Sequence, residues 1–229
     1  MKFYLFSAVL LVFLVFQSNS QEIITAVQYL DSVSEVYSGI KDYEANVTIR
    51  SGNNDMTGNL SYLSPYFLRI DFDRPKDQVI VFNGELLTVY IPEFRAVLNQ
   101  AITPSRRPSA GATLATAQGL NLLKRNYTPN FLTGPEPVPL DANSQEMVVK
   151  IRLVRRYVSE GFVSLIISIN PETKLIRRIE GDNIAGSRVQ FDFFNIRTNL
   201  GIPVLKFQYN TESSAGAYLY NNFLFRDTD

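Results

Sequence analysis

The 229-residue chain sets 22 Lys and Arg against 22 Asp and Glu and contains no His, Cys or Trp. These absences exclude a disulfide framework, a thiol nucleophile, a Ser-His or Cys-His catalytic pair and the usual zinc sites, leaving only hard cations on carboxylates as metal chemistry. Zero net charge argues against a nucleic-acid partner, and 45% hydrophobic with 19% charged residues is enough to build a sizeable core.

The chain opens as an export signal. Lys2 precedes an almost unbroken apolar run of 14 residues, Phe3 to Phe16, followed by the polar Gln17-Ser18-Asn19-Ser20. Small residues at the last and third-last of these places predict cleavage after Ser20. A spanning helix needs roughly 20 apolar residues, so the run is too short for an anchor. No Cys follows it for acylation. The mature chain is expected to be a single domain over 21–229, monomeric and periplasmic.

From Glu22 to Tyr37, Ile23, Ile24, Val27, Leu30, Val33, Val36 and Tyr37 recur at three/four spacing, predicting an amphipathic helix that ends near Gly39. The period then becomes two. Tyr43, Ala45, Val47 and Ile49 alternate with Glu44, Asn46, Thr48 and Arg50. Strands are predicted near 42–50, 56–63, 66–73, 77–83, 85–91 and 94–99, separated by Asn53-Asn54, Pro65, Arg74-Pro75 and Asn83-Gly84. An insert of about 102–128 interrupts them, with Pro104, Pro108, Arg106-Arg107 and a short helix carrying Leu114, Ala117, Leu120 and Leu123. Tyr127 to Asn143, with four prolines, reads as loop. Alternation resumes through Val149 to Leu153, Val163 to Ile169, Leu175 to Glu180, Arg188 to Ile196, Val204 to Tyr209 and Tyr218 to Phe225. The expected fold is mainly β (α+β): about 10–12 antiparallel strands curled around an N-terminal helix and a helical insert.

Catalytic chemistry finds little support. Asp71 and Asp73 share a strand face, the geometry of an acid/base pair, but alternation reads them as solvated. Ser105, Ser109 and Lys124 form no recognisable dyad, and there is no nucleophile elbow or phosphate loop. The basic pairs Arg106-Arg107, Lys124-Arg125, Arg155-Arg156 and Arg177-Arg178 read as scattered solvated faces. The apolar surplus is more informative. Leu63, Phe67, Ile80, Phe82, Leu87, Val89, Ile91, Phe194 and Ile196 are expected opposite the main inward set. Such strands fit either a sheet covered on both faces or a half-filled barrel whose wall binds a greasy ligand.

Three stretches carry a resemblance: Met56 to Tyr62, Pro65-Tyr66-Phe67-Leu68-Arg69-Ile70-Asp71-Phe72, and Pro75 to Gly84 followed by Val89-Tyr90-Ile91-Pro92. With Ile167 to Pro171, Thr173 to Glu180 and Gly186 to Ile196, the order of elements resembles the periplasmic outer-membrane lipoprotein carriers, the LolA-like family. The resemblance implies an incomplete β-barrel with a helical lid, no enzymatic activity, no cofactor and no metal. It implies acylated lipoproteins or lipids as cargo, an inner-membrane ABC transporter as donor and an outer-membrane acceptor as a further partner. On that basis the cavity is expected to be lined by Val47, Ile49, Leu60, Tyr62, Leu68, Ile70 and Phe72, with Leu114, Leu120 and Leu123 from the lid. Many members carry a lid-latching Arg just before the third strand's proline, where this chain has Ser64; Arg69 or Arg50 would replace it if turned inward. The family's Pro-x-Gly ending is also missing from 211–229. The alternatives are a lipid- or lipoprotein-sensing module of the same fold and a secreted hydrolase.

Overall fold

The computed structural model describes residues 24–102, 115–210, 214 and 216–223. The predicted signal peptide, the Arg106-Arg107 pair and Leu114 lie outside them.

The first helix, α1 (Ala26–Ser38), starts later than apolar spacing implies because Thr25 caps it. Gln28 N–H donates to Thr25 Oγ1 at 3.2 Å while Thr25 N–H donates to Gln28 Oε1 at 2.8 Å, a reciprocal capping box. Tyr29, Leu30, Val33 and Tyr37 are buried, whereas Val27 and Val36, expected on the same stripe, are 51% and 37% exposed.

The strands follow as β1 (Asp42–Ser51), β2 (Asn54–Leu63), β3 (Phe67–Arg74), β4 (Val79–Phe82), β5 (Leu86–Ile91) and β6 (Ala96–Ala101). Next come α2 (Ala117–Asn126), β7 (Tyr127–Phe131), β8 (Val138–Pro139), β9 (Met147–Arg155), β10 (Phe162–Ile169), β11 (Ile176–Asn183), β12 (Arg188–Thr198) and β13 (Tyr218–Asn221). They form one unclosed sheet in the order β13-β6-β5-β4-β3-β2-β1-β12-β11-β10-β9-β7, with β8 against β9. The central β1–β12 pair joins the two halves of the chain. Its register slips between Glu44 and Asn46, where Asn195 takes a left-handed φ of 54°, a conformation asparagine tolerates better than most residues.

Three segments differ from the sequence reading. The proline-rich stretch after Asn126 contains β7, and Pro129 is accommodated because β7 is an edge strand. Val204 to Tyr209 is not a strand: Pro203 leads into a 3-10 turn, Val204–Phe207. The last strand, β13, pairs with β6 in parallel, the exception in an otherwise antiparallel sheet.

That turn belongs to a strap, residues 199–210, that follows β12 across the outer face. Leu200 and Gly201 N–H groups donate to the Asp42 carboxylate at 2.6 and 3.0 Å. Lys206 bonds Glu44 at 2.5 Å, fully buried Phe207 lies 5.7 Å ring to ring from Phe67, and Tyr209 faces Tyr90. Further along the outer face, Arg177-Arg178 is not a solvated pair. Arg178, Arg177 and Arg50 all donate to the buried Asp192 carboxylate, at 2.6, 3.3 and 2.5 Å. Burial pulls the Arg178 pKa down, but its bonds to Asp141 and Asp192 outweigh that and leave it raised.

Close packing between β2 and β3 makes one glycine indispensable. A Cβ at Gly58 would sit 2.4 Å from the Asp71 carbonyl oxygen and 2.9 Å from Phe72 Cα. Backbone atoms cannot swing away, so Gly58→Ala should cost about 1–3 kcal/mol and lower the thermal midpoint by several degrees, read by circular dichroism. Ion pairing sets the acid response. Glu44 is held below its ordinary pKa chiefly by the Lys206 hydrogen bond, Asp141 by that of Arg178 and Asp182 by that of Arg188. With native values lowered, their stabilisation is complete above the unfolded values of about 4 and is lost as pH falls through the native ones. The urea midpoint should stay level from about pH 7 to 5 and drop below about 4; Asp182→Asn should flatten that drop.

Candidate functional site

Alternation along β1, β2 and β3 puts Val47, Ile49, Leu60, Tyr62, Leu68, Ile70 and Phe72 on the inner face of the sheet. All are at most 7% exposed. They belong to one cluster with Leu120 and Leu123 of α2 and Tyr29, Leu30 and Val33 of α1. The structure therefore gathers the expected residues other than Leu114 into a single apolar body, filled by helix side chains.

Cross-strand register corrects the expected second apolar face. Ile80 pairs with Ile70, and Phe82 with Leu68. Val89 and Leu87 continue those rows through β5, and Leu98 follows Val89 in β6. These residues extend the inner wall instead of lining the outside. Phe82 is buried, whereas Ile80, Leu87, Val89 and Leu98 are only half-buried. The outward residues of this region, Val81, Thr88 and Val97, are buried. Phe67 and Phe194 do lie outside, the first under Phe207 and the second beneath Arg177.

Neither proposed latch arginine faces the helices. Each is one residue away from an inward side chain, Ile49 or Leu68 and Ile70, so the two-residue period turns it outward. Arg50 pairs with Asp192 and Asp55. Arg69 is bidentate on Asp71 and donates to the Lys206 and Gln208 carbonyls, at 3.2 and 3.3 Å. Asp71 is thereby neutralised by Arg69, and Asp73 is exposed. The start of α2 is held by tyrosines. Tyr43 Oη donates to the Ala115 carbonyl at 3.1 Å, and Tyr62 Oη bonds Gln118 Oε1 at 2.9 Å. Burial raises both phenols' pKa values, keeping them neutral donors at physiological pH. Thr116 Oγ1 accepts from Gly119 N–H at 3.0 Å and caps the helix, and Lys124 bridges to Asp31 of α1 at 3.0 Å. These tyrosines read in sequence as plain inward strand residues; only their nearness to α2 gives the hydroxyls a role.

Other features narrow the chemistry. A recess of about 60 Å³ lies between α2 and the β9–β10 hairpin, lined by Leu123, Tyr127, Phe162 and Leu165 among others. A polar groove of about 390 Å³ runs along the outer face past Glu44, Asn46, Asn59, Arg197 and Lys206. Among the described residues no group of His, Cys, Asp or Glu could hold a metal ion, and no helix is long and apolar enough to cross a membrane.

An open antiparallel sheet wrapped around two helices, with an apolar inner wall and a hydrogen-bonded helical cover, defines a binding scaffold. The family model described as "Outer membrane lipoprotein carrier protein LolA" matches residues 46–210. The chain belongs to that family. No curated protein sequence matches it. Among solved structures, it is similar to an uncharacterized conserved protein from Thermus thermophilus, at 12% identity and TM-score 0.54 over 85% of this chain and 97% of that one. It is similar to the MucA/MucB complex structure of Pseudomonas aeruginosa, at 12% identity and TM-score 0.50, over 82% of this chain and 62% of that one. A putative outer membrane lipoprotein-sorting protein domain from Vibrio parahaemolyticus matches at 12% identity and TM-score 0.46, over 82% and 97% of the two chains. At these identities the first two likenesses speak for the fold.

The tyrosine fastening predicts a local effect. Each Tyr43→Phe or Tyr62→Phe change removes one hydroxyl while keeping the ring, at a cost of about 0.5–1.5 kcal/mol. The double variant should speed amide hydrogen exchange in 117–126 by about tenfold or more and leave β9–β12 unchanged.

Proposed function

We propose that this protein is a periplasmic carrier that shields the acyl chains of lipoproteins or lipids against the inner face of its sheet. Donor and acceptor would be an inner-membrane lipoprotein-releasing transporter and the outer membrane. The observation that carries the reading is the single apolar wall running from Val47 to Leu98, buried beneath α1 and α2 on one side and half-buried over β4 to β6. Family membership supports it.

The physical logic is one of exchange. Each methylene removed from water contributes about 0.8 kcal/mol, so even partial cover of an acyl chain is strongly favourable. The space beneath α2 is occupied by Leu120 and Leu123. An incoming chain therefore replaces those side chains as α2 lifts, and the half-buried rows of β4 to β6 offer first contact. The tyrosine hydrogen bonds that fasten α2 are few and neutral. Their cost of opening is far smaller than the gain from one acyl chain, and their re-formation helps expel cargo at the acceptor. No covalent step is needed.

The test is capture of cargo from lipoprotein-loaded inner membranes. The protein recovered from the periplasm should form soluble one-to-one complexes with an acylated lipoprotein and none with its non-acylated form, read by native mass spectrometry. Val89→Asn and Leu87→Asn, at half-buried positions, should reduce complex yield at least fivefold with thermal midpoints close to wild type. Retention of bound lipid without release to acceptor vesicles would instead favour a sensing module of the same fold.

A further inference from the structure

Two neighbouring hairpins at one end of the sheet carry large apolar side chains that the core does not use. Phe162 pairs with Asn183, so the β9–β10 and β11–β12 turns leave the sheet at one level. At their tips Tyr157 is 58% exposed, Val158 83% and Ile184 72%. Core packing explains none of them.

The same rim gathers positive charge. Arg156 N–H donates to the Asn126 carbonyl at 2.8 Å, and its Nε donates to the Tyr127 carbonyl at 3.0 Å. This brings the end of α2, with Arg125 in its last turn, beside the Arg155-Arg156 pair. Arg125 bonds the Asn126 side chain and Arg155 the Val158 carbonyl. Among the described residues, none of the three guanidiniums has a carboxylate ion pair. Elsewhere arginines such as Arg50, Arg69, Arg177, Arg178, Arg188 and Arg197 do have one. Glu160 is the one acid within the turn between β9 and β10, leaving the rim basic. Arg188 at the neighbouring turn is already neutralised by Asp182 at 2.8 Å.

We propose that this rim docks the protein on an anionic lipid bilayer, with Tyr157, Val158 and Ile184 entering the interface and Arg125, Arg155 and Arg156 meeting headgroup phosphates. Exposed apolar tips flanked by unpaired arginines match the two layers of a membrane surface, an apolar boundary beneath a negative one. An acidic protein partner would use the charges but leave a protruding valine without a counterpart. The recess between α2 and the β9–β10 hairpin opens beside this rim, lined by Glu160 and Gly161 of the turn together with Leu123 and Phe162. The docking stands on its own observations, whether or not acyl chains enter beneath α2.

Flotation with vesicles tests it. Protein recovered from the periplasm should float with vesicles of phosphatidylethanolamine and phosphatidylglycerol at about 3:1 in low salt. It should float at least tenfold less with pure phosphatidylcholine or in about 0.5 M salt. Val158→Asp with Ile184→Asp should abolish flotation; both positions are so exposed that the fold is untouched, which the circular dichroism melt checks. Arg125→Gln with Arg155→Gln should lower binding about tenfold or more and weaken its salt dependence, Arg156 keeping the remainder. Failure of the wild type to float, or flotation of the Asp variants at wild-type levels, overturns the docking surface. Cargo capture measured with soluble acylated lipoprotein on the same variants reads the carrier function separately, and should be unaffected.

Discussion

The β1–β12 pairing is the constraint on which the rest of the molecule depends. It joins the first strand to the last long one and so makes two runs of hairpins into one sheet. With the strands in that order, a two-residue side-chain period assigns every residue to the helix side or the strap side. Val47 and Phe193 turn inward as direct neighbours, both essentially inaccessible, and Asn46 and Phe194 turn outward. The slip between Glu44 and Asn46, accommodated by the left-handed Asn195, bends the sheet at its centre without breaking the inner row.

The two faces have different physics. The inner one is aliphatic and aromatic, and its contacts with α1 and α2 are mostly non-directional. Such packing tolerates replacement of one apolar group by another of similar volume. The outer one is held by directed bonds: Asp42 on the strap backbone, Arg69 on two carbonyls, and three arginines on Asp192. Directed bonds hold the outer side, while the inner side rests mostly on packing. On the proposed carrier reading, that division places the cost of opening on the helical cover.

The helical cover is also where charge and hydroxyl placement diverge from simple expectation. Arg50 and Arg69 are the natural candidates for a latch by residue type, yet strand geometry commits both to the outer face. Tyr43 and Tyr62 are long enough to span the inner layer and reach the backbone and side chain of the α2 entry. A neutral phenol there avoids burying a guanidinium without a carboxylate, which would cost several kcal/mol.

Much of this was legible in the residues themselves. Alternation from Tyr43 to Phe72 marked the strands and their inward side chains, because side-chain direction along one strand is a local property. Helix spacing found α1, though not its start, which a capping box at Thr25 decides. What local patterns do not contain is which strand lies beside which. The short rows Ile80-Phe82 and Leu87-Val89 alternate equally well with either face inward, and only their pairing with Ile70 and Leu68 turns them to the core side. Val204 to Tyr209 has strand-like composition but crosses the outer face of the sheet instead of lying along an edge, so it closes into a turn over Phe67. The chain alone thus determined the local periods and the chemistry its side chains lack. The tertiary structure decided the faces, the tyrosine fastening and the strap, because each depends on residues distant in sequence meeting across the sheet.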